Sequence, residues 1–135
     1  MAIYGFGAYY EGVDVTERFL QQGGAYLGWS HADAIFFHEI LSRIAIGDLV
    51  FIKSFTPVHG LHVKAVGLVV EPANARALDA DLGSSVGVQW VWGAPLDVPL
   101  VIGRLDDRGD QVRTGALYEE MNPEVRRRLV GLLLD

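Results

Sequence analysis

Cysteine is absent from this 135-residue chain, and with it go disulfide cross-links, thiolate metal sites and cysteine nucleophiles. No apolar run approaches the roughly 18 residues that a membrane-spanning helix needs. The amino terminus, Met1-Ala2-Ile3-Tyr4, lacks the basic region of a secretory leader. Basic side chains are scarce, 11 against 17 acidic ones for a net charge of −6. Affinity built by neutralising many phosphates does not fit that balance, which argues against an extended duplex as partner. The expectation from these absences is a soluble, cytoplasmic protein with no membrane partner.

What is present is a large apolar fraction, half of all residues, at a length that buries roughly 70% of the surface of the unfolded chain. No repeat, low-complexity tract or linker divides the chain, so residues 1–135 read as one domain. The most informative stretch is Gly47 to Val70. Leu49 to Phe55 and His62 to Val70 are β-branched and aromatic runs, joined by a loop that contains Pro57 and Gly60, and they predict a hairpin. On the first run Val50, Ile52 and Ser54 alternate with Leu49, Phe51, Lys53 and Phe55. Both faces begin apolar, as expected in a closed or tightly curled sheet. Gly67 interrupts the second run and predicts a bulge or a close backbone approach.

Around that hairpin the chain reads in order. Ile3 to Tyr10 is a first strand, and its two glycines are too weak a pattern for a phosphate loop. Asp14 with Glu17 predicts the capped start of a helix over Val15–Gln22, which Gly23-Gly24 ends. Tyr26 to Trp29 is a loop or short extended piece. Ser30 is an expected N-cap, with Asp33 in the first turn of a helix from His31 to about Arg43 that buries Phe37, Ile40, Leu41 and Ile44. Glu71 to Ser85 is a loop with a turn of helix. Val86 to Trp92 is a strand that puts Val86, Val88, Trp90 and Trp92 on one face. Val101 to Leu105 and Gln111 to Ala116 predict a second hairpin, and Asn122-Pro123 starts a closing helix that packs through Val125, Leu129, Leu132 and Leu133. Arg126, Arg127 and Arg128 point in three directions on such a helix and read as solvated charges.

The segments Gly47-Asp48-Leu49-Val50-Phe51-Ile52 and Ala65-Val66-Gly67-Leu68-Val69-Val70 resemble the PUA-like superfamily, most closely its EVE branch and the amino-terminal domains of modification-dependent restriction systems. Gly5-Phe6-Gly7-Ala8-Tyr9-Tyr10, Lys53-Ser54 and Trp90 look like further pieces of the restriction-associated domains, so the resemblance covers about residues 3 to 92. It implies an α+β fold, a small curled β-barrel of about five or six mostly antiparallel strands flanked by helices. It also implies a cage of aromatic rings around a modified nucleobase or nucleotide. The expectation is that the chain departs from the restriction systems, with no attached ATPase or nuclease and no basic surface to hold a duplex.

The chemistry that such a cage needs has candidates here. Tyr9, Tyr10, Trp29, Trp90 and Trp92 are expected as cage walls or, in the blander alternative, as core. Lys53 and Ser54 are expected at the rim, against a snorkelling lysine and a strand-end turn, with Phe55 beside them. The expectation is a non-enzymatic module for a nucleobase or nucleotide-like ligand, or one exposed base, with no cofactor and no metal. His59 and His62 lack a carboxylate in register, and His31 and His38 sit two turns apart, so neither pair reads as a metal site. Ser30, His31 and Asp33 are of triad type but adjacent in sequence, and Asp48 reads as a turn residue. The alternatives are an ASCH-like hydrolase or ribonuclease using Lys53, Tyr9 and Glu11 or Glu39, and a protein-interaction domain that uses the last helix, homodimers included.

Overall fold

The computed structural model describes residues 1–29, 32–76, 78–93 and 98–134. In chain order its elements are β1 (Ile3–Gly7), β2 (Tyr9–Tyr10), β3 (Val13–Asp14), α1 (Thr16–Gln22), β4 (Gly24–Leu27), α2 (Ile35–Arg43), β5 (Leu49–Thr56), β6 (Gly60–Glu71), β7 (Ser84–Gly93), β8 (Leu100–Gly103), α3 (Asp110–Arg113), β9 (Leu117–Glu119) and α4 (Pro123–Leu134). The main sheet runs β4-β7-β6-β5-β1-β9, and β8 pairs with the first part of β6. Only β1 and β5 run parallel within it; its other pairs are antiparallel. The fold is therefore α+β, with a strongly curled mixed sheet forming a half-barrel. α2 packs against both β4 and β9, the two ends of the path, and so bridges the open side.

Alternation on the central strands sorts the apolar residues into two cores. Tyr4, Phe6, Val50 and Ile52 point into the curl, where they meet Phe19 of α1 and Ile40 and Leu41 of α2. Ile3, Leu49, Phe51 and Tyr118 point outward under Val125 and Leu129 of α4. Burying each such aliphatic side chain stabilises the fold by roughly 1.5–3 kcal/mol. The Asn122 side chain accepts hydrogen bonds from the amides of Glu124 (2.9 Å) and Val125 (3.1 Å), which caps α4 at the expected position.

Two bulges re-aim side chains. Ile52 faces Ala65 but Lys53 faces Val63, so Lys64 is an extra residue on β6. Val66 faces Trp92 and Gly67 faces Trp90, so Val91 is an extra residue on β7. The second bulge overturns the expectation that Val86, Val88, Trp90 and Trp92 share a face: Trp90 packs on the inner core and Trp92 on the outer one. Gly67 allows it, because a Cβ there would lie 2.6 Å from the Gln89 carbonyl oxygen.

Three further expectations change. The first strand stops at Gly7, and Tyr9-Tyr10 pairs instead with Val13-Asp14 across a tight turn at Glu11 (φ 49°) and Gly12 (φ 82°). The hairpin expected over Val101–Leu105 and Gln111–Ala116 does not form. β8 joins β6, and Asp110–Arg113 is a short helix because the Arg113 side chain turns inward to carboxylates. The expected Ser30 N-cap and His31 lie outside the described residues, and α2 starts at Ile35, so Asp33 precedes the helix rather than occupying its first turn.

Candidate functional site

The charged side chains inside the protein gather at the outer face near β9. Arg113 and Glu120 are each 1% exposed. Arg113 Nε and one terminal nitrogen donate to Glu120 (2.9 and 2.7 Å), and both terminal nitrogens donate to Asp107 (2.7 and 3.0 Å). Tyr118 Oη donates to Glu120 at 2.9 Å and Asn122 Nδ2 to Asp107 at 2.6 Å. The Arg113 guanidinium, helped by Asn122 and the Gly109 amide, holds the Asp107 carboxyl well below the usual carboxylate range. Burial and the neighbouring Glu120 push the Tyr118 hydroxyl far up, so it keeps its proton. An open depression of about 470 Å³ lies over this network, lined among others by Asp107, Arg108, Glu119 and Asn122. Its buried charges neutralise one another, which is how a buried ion pair avoids the full cost of leaving water.

Lys53 ties β5 to the same segment. It is 7% exposed, and its Nζ donates to the carbonyls of Arg113 (2.7 Å) and Gly115 (2.6 Å). Gly7 is its partner on β1, and the missing side chain there leaves the path that Lys53 takes across β1. Nζ also lies 5.9 Å from the Tyr118 ring centre. Burial lowers the pKa of Lys53 to about 8. Ser54 beside it is half-buried opposite His62, and Phe55 packs on the outer core.

The aromatic residues named from the sequence divide by position. Trp90 is half-buried, and its indole N–H donates to the Phe19 carbonyl at 3.1 Å. Trp92 stands on the other face of the sheet. Tyr10 packs edge-on to Phe19, with its hydroxyl donating to the Leu82 carbonyl at 2.9 Å. Gly28 leaves room for the Tyr10 ring, since a Cβ there would sit 2.7 Å from it. On either side of that contact, Tyr9 is 68% and Trp29 56% exposed. The Trp29 backbone is fixed by its carbonyl, which accepts from His38 Nε2 at 2.7 Å. Phe36 is 64% exposed and packs beside Phe37, and Phe37 in turn abuts Gly115.

The structure thus sets Tyr10 against Gly28, next in sequence to Tyr9 and Trp29 respectively, whereas Lys53, Phe55 and Trp92 lie on the outer face. Contacts still link the two groups, from Tyr10 through Gly28, Trp29, His38, Phe37 and Gly115 to Lys53. The Arg113 network and Phe36 were not found from the sequence. The pair Arg113 and Glu120 lies in a stretch with no apolar periodicity, and only the fold shows that its members meet. Among the described residues no group of three or more His, Asp or Glu side chains could hold a metal ion, and no helix is long and apolar enough to cross a membrane. Comparison with protein-family models finds no match, and comparison with curated proteins finds none either.

Proposed function

We propose that the chain is a PUA-like, non-enzymatic binding module that receives a nucleobase or nucleotide-like ligand at the aromatic end of its half-barrel. The observation that carries this reading is the pair of exposed rings, Tyr9 and Trp29, held one residue to either side of the Tyr10–Gly28 contact. Large rings left in water at a rigid position cost solvation unless something flat covers them, and a base offers a π-face of matching size. Lys53 supports the site from behind by bonding Gly115, against which Phe37 rests, rather than by touching the ligand. The ASCH-like hydrolase or ribonuclease reading has less support. Of the residues that reading would use, Lys53 is buried and bonded to the Arg113 and Gly115 carbonyls, whereas Tyr9 and Glu11 lie exposed around the turn between β2 and β3.

Titration with nucleosides, mononucleotides and oligonucleotides carrying a modified base, followed by indole fluorescence and thermal shift, tests the proposal. Trp29 is the exposed indole of the three, so stacking should quench it. Trp29→Ala should weaken binding by about 1–3 kcal/mol, the usual worth of one stacked base. A wild-type protein that neither quenches nor gains thermal stability with any of these probes would refute the ligand reading.

A further inference from the structure

Ser54 and His62 stand opposite each other on β5 and β6, both half-buried, and among the described residues neither side chain has a hydrogen-bond or charge partner. Directly opposed residues of an antiparallel pair hold their Cβ atoms about 4.5–5.5 Å apart on one face. Lys53 turns to the outer face, so Ser54 and His62 turn to the inner one, where Tyr10 and Phe19 pack. Val101 faces His62 from β8 and is 55% exposed, so this row is open to solvent. The row also lies close to Tyr9. Asp14 is the cross-strand partner of Tyr9, and its carboxylate accepts from Lys64 Nζ at 2.7 Å. The same carboxylate accepts from the Thr16 amide (2.9 Å) and hydroxyl (2.6 Å), which holds it in place. Lys64 follows His62 by two residues, roughly 7 Å along the strand. Tyr9 and His62 therefore adjoin one ion pair from two different elements.

Resting on the ring-stacking reading above, we infer that Ser54 and His62 bind the sugar of a ligand stacked on Tyr9, so that the site takes a ribonucleoside in preference to a free base or a 2′-deoxynucleoside. A serine hydroxyl both donates and accepts, and an uncharged imidazole offers one nitrogen of each kind. The two neighbouring hydroxyls of ribose have the same double character, so the two pairs match whichever way the hydrogens turn. A base edge presents a fixed order of donors and acceptors, which two groups of adaptable polarity accept without selecting among bases. An oxyanion calls for positive charge to spare, and Lys64 is already matched by Asp14. What the pair does select is the presence of a hydroxyl. The 2′-hydroxyl is the group by which a protein tells ribose from deoxyribose, and a ligand that lacks it leaves a covered polar group unpaired.

The test titrates wild-type protein, Ser54→Ala and His62→Leu with adenosine, 2′-deoxyadenosine, uridine and 2′-deoxyuridine, followed by indole fluorescence and calorimetry. Wild-type protein should bind each ribonucleoside about tenfold more tightly than its deoxy counterpart, whichever the base. Each variant should bring adenosine close to the level of 2′-deoxyadenosine and leave 2′-deoxyadenosine within about twofold of its wild-type affinity. A merely structural role would weaken both compounds alike, and that result overturns the inference. Wild-type protein that binds the ribo and deoxy compounds equally overturns it too, while leaving the stacking reading in place. Failure of all four compounds to bind removes both.

Discussion

Raising the pH from 7 to about 9.5 should stabilise the wild-type protein relative to a Lys53→Met variant. In the fold Lys53 titrates at about 8, below its ordinary 10.5, because burial disfavours the charged amine. Between those values the unfolded chain binds more protons than the folded one, so stability rises with pH. Integrated over this window, the linkage amounts to about 2 kcal/mol, or about 7 °C in Tm for a domain of this length. The neutral amine retains two N–H groups, enough for the carbonyls of Arg113 and Gly115, so the tie to the segment before β9 survives deprotonation. Tyr10 and Tyr118 act in the opposite direction. Burial raises their folded pKa values, so their contribution is lost as pH climbs past the unfolded value of about 10. Both proteins share that loss, and it cancels in the difference. Urea unfolding followed by circular dichroism at several pH values gives the two curves. If their difference stays flat from pH 7 to 9.5, Lys53 is not held in its charged state against a burial cost, and the reasoning fails.

Other substitutions probe the rest of the frame. Glu120→Ala leaves Arg113 paired with Asp107 but takes the acceptor from its Nε–H and from the Tyr118 hydroxyl, and should cost about 1–3 kcal/mol in chemical denaturation. Arg113→Met combined with Glu120→Leu should cost clearly less than the two single changes added together, whereas strict additivity would show that the pair is not coupled. Gly60→Ala should lower stability by more than about 1 kcal/mol, since Gly60 has φ +77° and an added Cβ would collide with the Gly103 backbone. A Tm within a degree of wild type would show that the β6–β8 crossing is loose.

The parts of this fold that could be read in advance are those encoded locally. The Leu49–Phe55 alternation, the αL Gly23 that ends α1 and the Asn122 cap each act within a few residues, and each appears where expected. The parts that escaped depend on partners far along the chain. The placement of Trp92 follows from one extra residue, Val91, which a period-2 pattern does not register. Lys53 looked like a rim residue because strand ends face solvent, yet its bonds reach residues 60 and 62 positions away. Gln111–Ala116 carries enough β-formers to suggest a strand, and a short helix forms there instead because Arg113 is drawn in to Glu120. Tyr9 and Tyr10 are adjacent in sequence, but the contact of Tyr10 with Gly28 is a tertiary fact.

The order of the strands bears on how this protein is made. β1 lies between β5 and β9, so β1 cannot be flanked on both sides until Leu117–Glu119 has been translated. Until then the nascent chain carries an unsatisfied strand edge, and the apolar surface that α4 later covers stays open to solvent. Transcripts truncated before that point would yield a sticky intermediate rather than a smaller working domain, and such products are natural clients for chaperones and proteases.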